Sequence, residues 1–169
     1  MCSQECAGSS PVPGTLMINK TFALLIALFT FFIIFLFYLR STKVSQKLVS
    51  INTTHFDALI ADTEDKRSKG LSILTDLPDN RGMLFVFDSD NVYATFWMKD
   101  MKFSIDILWI DDNKIVKIDK AIPAPVAGTQ DNRLTLYSGG QSIDYVFEVK
   151  AGVSDKFGFE VGDSFTFGK

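Results

Sequence analysis

Cysteine is nearly missing from this 169-residue chain: Cys2 and Cys6 both precede the first long apolar run, so everything after that run lacks thiols for disulfides or thiolate metal sites. Histidine is scarcer still. His55 is the only one, which excludes a zinc cluster on ligand count and reads as an exposed or edge side chain at the start of a strand. Positive charge is not in excess: the net charge is -3 and no basic stripe alternates with aromatic residues, which argues against nucleic acid as a partner. The glycine patterns of phosphate loops and dinucleotide sites are absent, so no nucleotide cofactor is implied. The acidic stretches Asp88–Asn91 and Asp111–Asn113 lack the twelve-residue calcium loop with its glycine and terminal glutamate, and read as solvated turns. No metal and no cofactor is expected.

What is present begins with an apolar run. Residues 21–39, TFALLIALFTFFIIFLFYL, contain no charge, Gly or Pro, and at ~1.5 Å per residue in a helix they reach across a hydrocarbon layer of roughly 30 Å. Lys20 and Arg40 bracket the run and Tyr38 stands where interfacial aromatics are favoured, so a single transmembrane helix with the bilayer as its partner is expected. Neither a small-x-small cleavage pattern nor a cysteine follows, which favours an uncleaved anchor over a signal peptide or lipoprotein. Met17-Ile18-Asn19-Lys20 makes a normal start for such an anchor, leaving residues 1–16 as a candidate upstream extension. Arg40, Lys43 and Lys47 slightly outweigh Lys20 and the α-amino group. That bias is too small to overrule the short N-terminal tail, so the domain is expected on the extracytoplasmic side. The chain therefore divides into a tail (1–20), a transmembrane helix (21–39), a polar tether (40–50) and a domain (51–169).

The domain reads as mainly β. Ile51–Ala61 alternates as a strand; Thr63 can cap a two-turn helix that Gly70 ends; Gly82–Phe87 is an unbroken apolar strand after the turn at Leu77–Gly82. Lys114–Ala121, Ile143–Val149 and Ser164–Phe167 supply further strands, with one helical turn at Ser154–Phe157 closed by Gly158. The stretch 127–140 reads as the longest loop, with Leu134, Leu136 and Tyr137 as its anchors. A mostly antiparallel α+β sheet curled toward a barrel, with one or two short helices, is the expected fold.

Chemistry concentrates in the middle. Tyr93–Met98 and Ile105–Ile110 read as strands covered on both faces, yet they are joined by Lys99 and interrupted by Asp106. A carboxylate in such a strand needs donors or a cation. Lys99 is the nearest partner in sequence and Arg67 the most suggestive distant one. Asp106 is either half of a buried structural ion pair or a ligand-binding or catalytic carboxylate.

The order ADTEDKRSKGL, LPDNRGMLFVF, FWMK, IDILWID with IVKI, then YVFEVKAG with a later VGD, resembles the prokaryotic family DUF192, a domain of unknown function, over residues 51–169. The resemblance implies a compact, mainly β domain, often exported or membrane-attached, with no established reaction. Position by position, Arg67, Gly70 and Leu71 match its R-x-x-G-L, Gly82–Phe87 its G-M-L-F-x-F, and Trp97, Met98 and Lys99 its W-M-K, while Asp106 matches the aspartate of the following strand. The chain departs where the family usually places an arginine, here Ile73-Leu74, and where Ser104 replaces a proline. A binding module for a small polar or anionic ligand is expected, with Arg67, Trp97, Met98, Lys99 and Asp106 as candidate contacts. The alternatives are a hydrolase-type enzyme using Asp106 and Lys99, or an assembly partner at the membrane.

Overall fold

The computed structural model describes residues 19–41 and 46–168, with backbone alone at 37–41. The expectations resting on Cys2, Cys6, residues 1–16, Lys43 and the side chains of Tyr38 and Arg40 lie outside the described residues. The chain divides between Lys43 and Val44 into two units.

In the first unit, the apolar run forms helix α1 (Lys20–Ser41), 22 residues without a helix breaker. Every described side chain along it, residues 20–36, is exposed, including Phe22, Phe29, Phe31 and Ile34. Among the described residues no helix is long and apolar enough by itself to cross a membrane. The helix backbone continues through 37–41, whose side chains are not described.

Among the described residues the second unit is built on nine strands. Strand β1 (Gln46–Ile51) forms a hairpin with β2 (Thr54–Ala61), turning at Asn52 with φ 50°. Gln46–Ser50, expected in a polar tether, are thus paired sheet residues: Val49 and Ile51 are buried, half-buried Lys47 shares their face over the Phe167 ring, and Gln46 and Leu48 are on the exposed side. Helix α2 (Glu64–Lys69) follows, with Thr63 accepting the Lys66 amide and Gly70 leaving the helix at φ 48°, into a 3₁₀ turn over Gly70–Ile73. Strand β3 (Arg81–Val86) then runs parallel to β2, one parallel pairing in a sheet otherwise antiparallel.

Strands β4 (Thr95–Trp97), β5 (Ile105–Asp111), β6 (Lys114–Ile122), β7 (Leu136–Ser138), β8 (Tyr145–Lys150), helix α3 (Val153–Phe157) and β9 (Phe165–Phe167) complete the domain. The main sheet has seven strands in the order β6-β5-β8-β3-β2-β1-β9, and β4 pairs with β7 in a separate two-stranded ribbon. Asp112 and Asn113, both at positive φ, make the tight β5–β6 turn that favours Asn and Asp. The long stretch 127–140 is not all loop, because β7 lies within it. The sheet curls until its ends meet: Ile115 donates to the Asp163 carbonyl (3.0 Å) and Phe165 to the Asn113 carbonyl (2.8 Å), beside a bridge between Lys114 and Ser164.

Two cores follow from the period-2 alternation. On one face Phe56, Leu84, Leu108, Ile110, Phe147 and Phe165 pack together, closed by Val153 and Phe159. On the other, Met83, Phe85, Ile105, Ile107, Trp109 and Val146 pack against Leu71, Leu77 and Met98. Phe96 pins the β4–β7 ribbon to this second face, meeting Phe85 edge-on at 4.8 Å and Trp109 at 5.6 Å between ring centroids. The mainly β, curled sheet with short helices expected from the sequence is therefore observed, with both faces of the central strands covered.

Close packing is tightest at Gly82. A Cβ added there would lie 2.3 Å from the Phe147 ring and 2.7 Å from the Glu148 carbonyl oxygen, which belongs to backbone and cannot swing away. Gly82→Ala is expected to lower stability by about 3 kcal/mol, read as a lower denaturation midpoint with an unchanged slope in urea.

Candidate functional site

Asp106 is fully buried, and neither Lys99 nor Arg67 is its partner. The β5–β6 register slips between Ile105 and Ile107, creating a bulge at which Ala121 adopts φ 52° and donates its amide to Asp106 Oδ1 at 2.8 Å. The chain leaving β8 supplies two more donors: Gly152 N lies 3.2 Å from Oδ2 and Ser154 N 3.0 Å from it. Backbone amides thus take the place of the expected ion pair. Three elements converge on one carboxylate, which is a structural arrangement.

Lys99 and Arg67 have other engagements. Lys99 Nζ bonds Asp131 and stands 5.4 Å from the Trp97 ring centroid; the Asp131 hydrogen bond chiefly holds its ammonium above the usual lysine range. Arg67 donates to the Val86 carbonyl at 2.8 Å and to Asp88 Oδ2 at 3.2 Å, over the Phe87 ring. Met98 is a core residue, 4% exposed.

Three of the five candidates nonetheless meet. Arg67, Trp97 and Lys99 line one cleft of about 340 Å³ on the second face, whereas Met98 and Asp106 do not. One wall is the segment 67–71 and the other 94–97, with Phe85, Ile105 and Glu148 beneath. Asp106 pairs with Val149 and Glu148 with Ile107, so the two acids project from opposite faces of the sheet. A hydrolytic pair of Asp106 with Lys99 is not assembled.

Glu148 is the residue that sequence reasoning missed. It lies on β8, between Met83 of β3 and Ile107 of β5, and is 5% exposed. No side-chain hydrogen bond or ion pair reaches its carboxyl among the described residues. Burial alone pushes the group up to about 8. It is therefore mostly neutral at pH 7, able to donate one hydrogen bond and accept others. The alternation of Ile143, Tyr145, Phe147 and Val149 assigns Glu148 to a polar face. The available signal was its neighbours: MLFV and ILWI, apolar on both faces, leave no wet face between them.

The comparisons with known proteins bear on the fold. The family model DUF192, Uncharacterized ACR, matches residues 47–167. The chain belongs to this family. Two crystal structures are among those that resemble it. One, from Sinorhizobium meliloti 1021 and described as a candidate transcription regulator, has TM-score 0.65 and 22% identity over 75% of this chain and 96% of that one. The other, a protein of unknown function from Novosphingobium aromaticivorans DSM 12444, has TM-score 0.65 and 24% identity over 74% and 87%. At these identities the DUF192 fold is what the likeness shows. No curated protein matches.

Two variants separate the acids. Asp106→Ala leaves buried amides without an acceptor and is expected to cost about 3 kcal/mol of stability, seen by chemical denaturation. Glu148 holds its proton in the folded state between 4.5, its ordinary value, and about 8, so its contribution is complete below that interval and fades as pH rises through it. Glu148→Gln is expected to flatten the pH dependence of the denaturation midpoint across this window, removing a slope of up to ~1.4 kcal/mol per pH unit.

Proposed function

We propose that this DUF192 domain is a small-ligand-binding module held at a bilayer by α1. The observation that carries the binding reading is Glu148, a buried residue whose carboxyl has no hydrogen bond or ion pair among the described residues and which lines an aromatic-walled cleft. A buried polar group left unmet costs free energy unless something in the cleft meets it. The walls suit a small organic molecule: Phe85, Phe87, Phe96 and Trp97 offer apolar surface, while Ser68, Thr95 and the two cations Arg67 and Lys99 offer orientation. A polar or anionic ligand agrees with that set.

The membrane reading is supported by the sequence of α1 and by its exposed side chains, among them Phe29, Phe31 and Ile34 at 65–69% exposure, which water would disfavour. An extracytoplasmic domain is part of this proposal; the Lys and Arg excess after the apolar run leans the other way, but only by about one charge.

The first test is the thermal midpoint of the full chain in neutral detergent against a panel of sugars, organic acids, nucleotides and peptidoglycan fragments. A ligand of this cleft raises the midpoint of the parent protein and of Asp106→Asn, but not of Glu148→Leu. No shift with any compound would sink the binding reading. For location, the protein is expected to stay with membranes through alkaline carbonate washing, and its domain to be cut by protease added outside intact spheroplasts. Release by carbonate, or protection from protease, overturns the anchor or the orientation respectively.

A further inference from the structure

The ionisable groups lining the cleft are sorted by depth. Glu148, 5% exposed, lies at the base, while Arg67 and Lys99, at 20% and 39% side-chain exposure, stand nearer solvent with Lys69. Their acidic partners, Asp88, Asp65 and Asp131, do not line the cleft and pair with the cations from outside it. Arg67 uses two of its five N–H donors, leaving others available. The direct cross-strand neighbours of Glu148 are Met83 and Ile107; of the titratable groups that share its face, Lys150 is two residues along and paired with Asp76, Arg81 and Asp111 stand at the strand ends, and Asp106 is on the opposite face.

This sorting selects a ligand by charge. A cation seeking Glu148 must pass three positive groups and be dehydrated in an apolar cleft, which costs several kcal/mol. An anion stays among those groups, partly hydrated, while its uncharged part goes inward. Resting on the binding reading above, we propose that the cleft takes a small amphipathic carboxylate. Its acidic group sits on Arg67 and Lys99, its ring- or chain-sized body lies against Phe85, Phe96 and Trp97, and a neutral polar inner end hydrogen-bonds the Glu148 carboxyl. The proton on Glu148 is then part of the binding site. Removing it places a second negative charge in the cleft and takes away the donor.

The test is calorimetric titration of the full chain in neutral detergent with para-hydroxyphenylacetate, phenylacetate, tyrosol and tyramine, at about pH 6.5 and about pH 9. The acid with the hydroxyl is expected to bind tightest. Losing the hydroxyl (phenylacetate) or the carboxylate (tyrosol) is expected to weaken binding about tenfold each, and tyramine is expected to bind weakest. Raising the pH is expected to weaken the acids about tenfold, and Glu148→Gln to remove that pH effect. Lys99→Met, a surface change that keeps the base of the cleft intact, is expected to weaken the acids and not tyrosol. Affinity that rises with pH, or tyramine binding above the acids, overturns the proposal in favour of a cationic ligand. Equal binding of all four reduces the cleft to a plain apolar one and overturns it too. If none of the four binds while another panel compound still shifts the midpoint, the ligand class is wrong and the binding module stands. If neither the probes nor the panel bind, both readings fall.

Discussion

The domain is held together at one carboxylate. Asp106 gathers the amide of a bulged residue on β6 and two amides from the turn into α3, and it does so at zero exposure, where each unmet partner would be costly. Because those donors are backbone, the contact fixes chain path and not merely side-chain position. The bulge at Ala121 ends regular β5–β6 pairing, and α3 is set across the end of the first core, where Val153 closes over Phe147 and Val149. A core of aliphatic and aromatic side chains can be repacked with modest loss. A carboxylate with a fixed set of amides admits one arrangement.

The sheet thereby divides its labour between faces. Next to each other on paired strands, Asp106 and Glu148 are both acids in apolar surroundings, yet one is saturated by the protein and the other is not. The saturated acid belongs to architecture. The unsaturated one lies under a ribbon of two three-residue strands, β4 and β7, kept in place by Phe96 and by the Lys99–Asp131 link. That ribbon is a sheet of its own, so one wall of the cleft is a separate element laid over its polar base.

Much of this organisation was legible in the sequence. Alternation located β2, β4, β5 and β8, apolar content and position located β3, β6 and β9, and the Thr63 and Gly70 signals bounded α2. The family pattern recovered the domain from near its first strand. Other features were hidden for identifiable reasons. Strand β1 is half polar because one side of QKLVSI faces solvent, so a tether was the natural reading. Strand β7 is three residues inside a Gly-bearing stretch, too short for any period to show. The partner of Asp106 could not be found by looking for cations, since amides leave no mark in a sequence. Glu148 was concealed by a correct rule applied without its neighbours: alternation places it on the second face, and only strand order reveals that the second face is covered.

Strand order has a kinetic side as well. The pairs that finish the sheet are β1 with β9 and the Lys114–Ser164 bridge, contacts separated by more than a hundred residues in the first case. Until β9 has emerged, β1 has an open edge and the place of Phe165 among Phe147 and Tyr145 is vacant. Loop closure of that length comes late and cannot be replaced by local structure. Completion of the sheet is thus a whole-domain event, because its last pairings join the two ends of the domain's sequence.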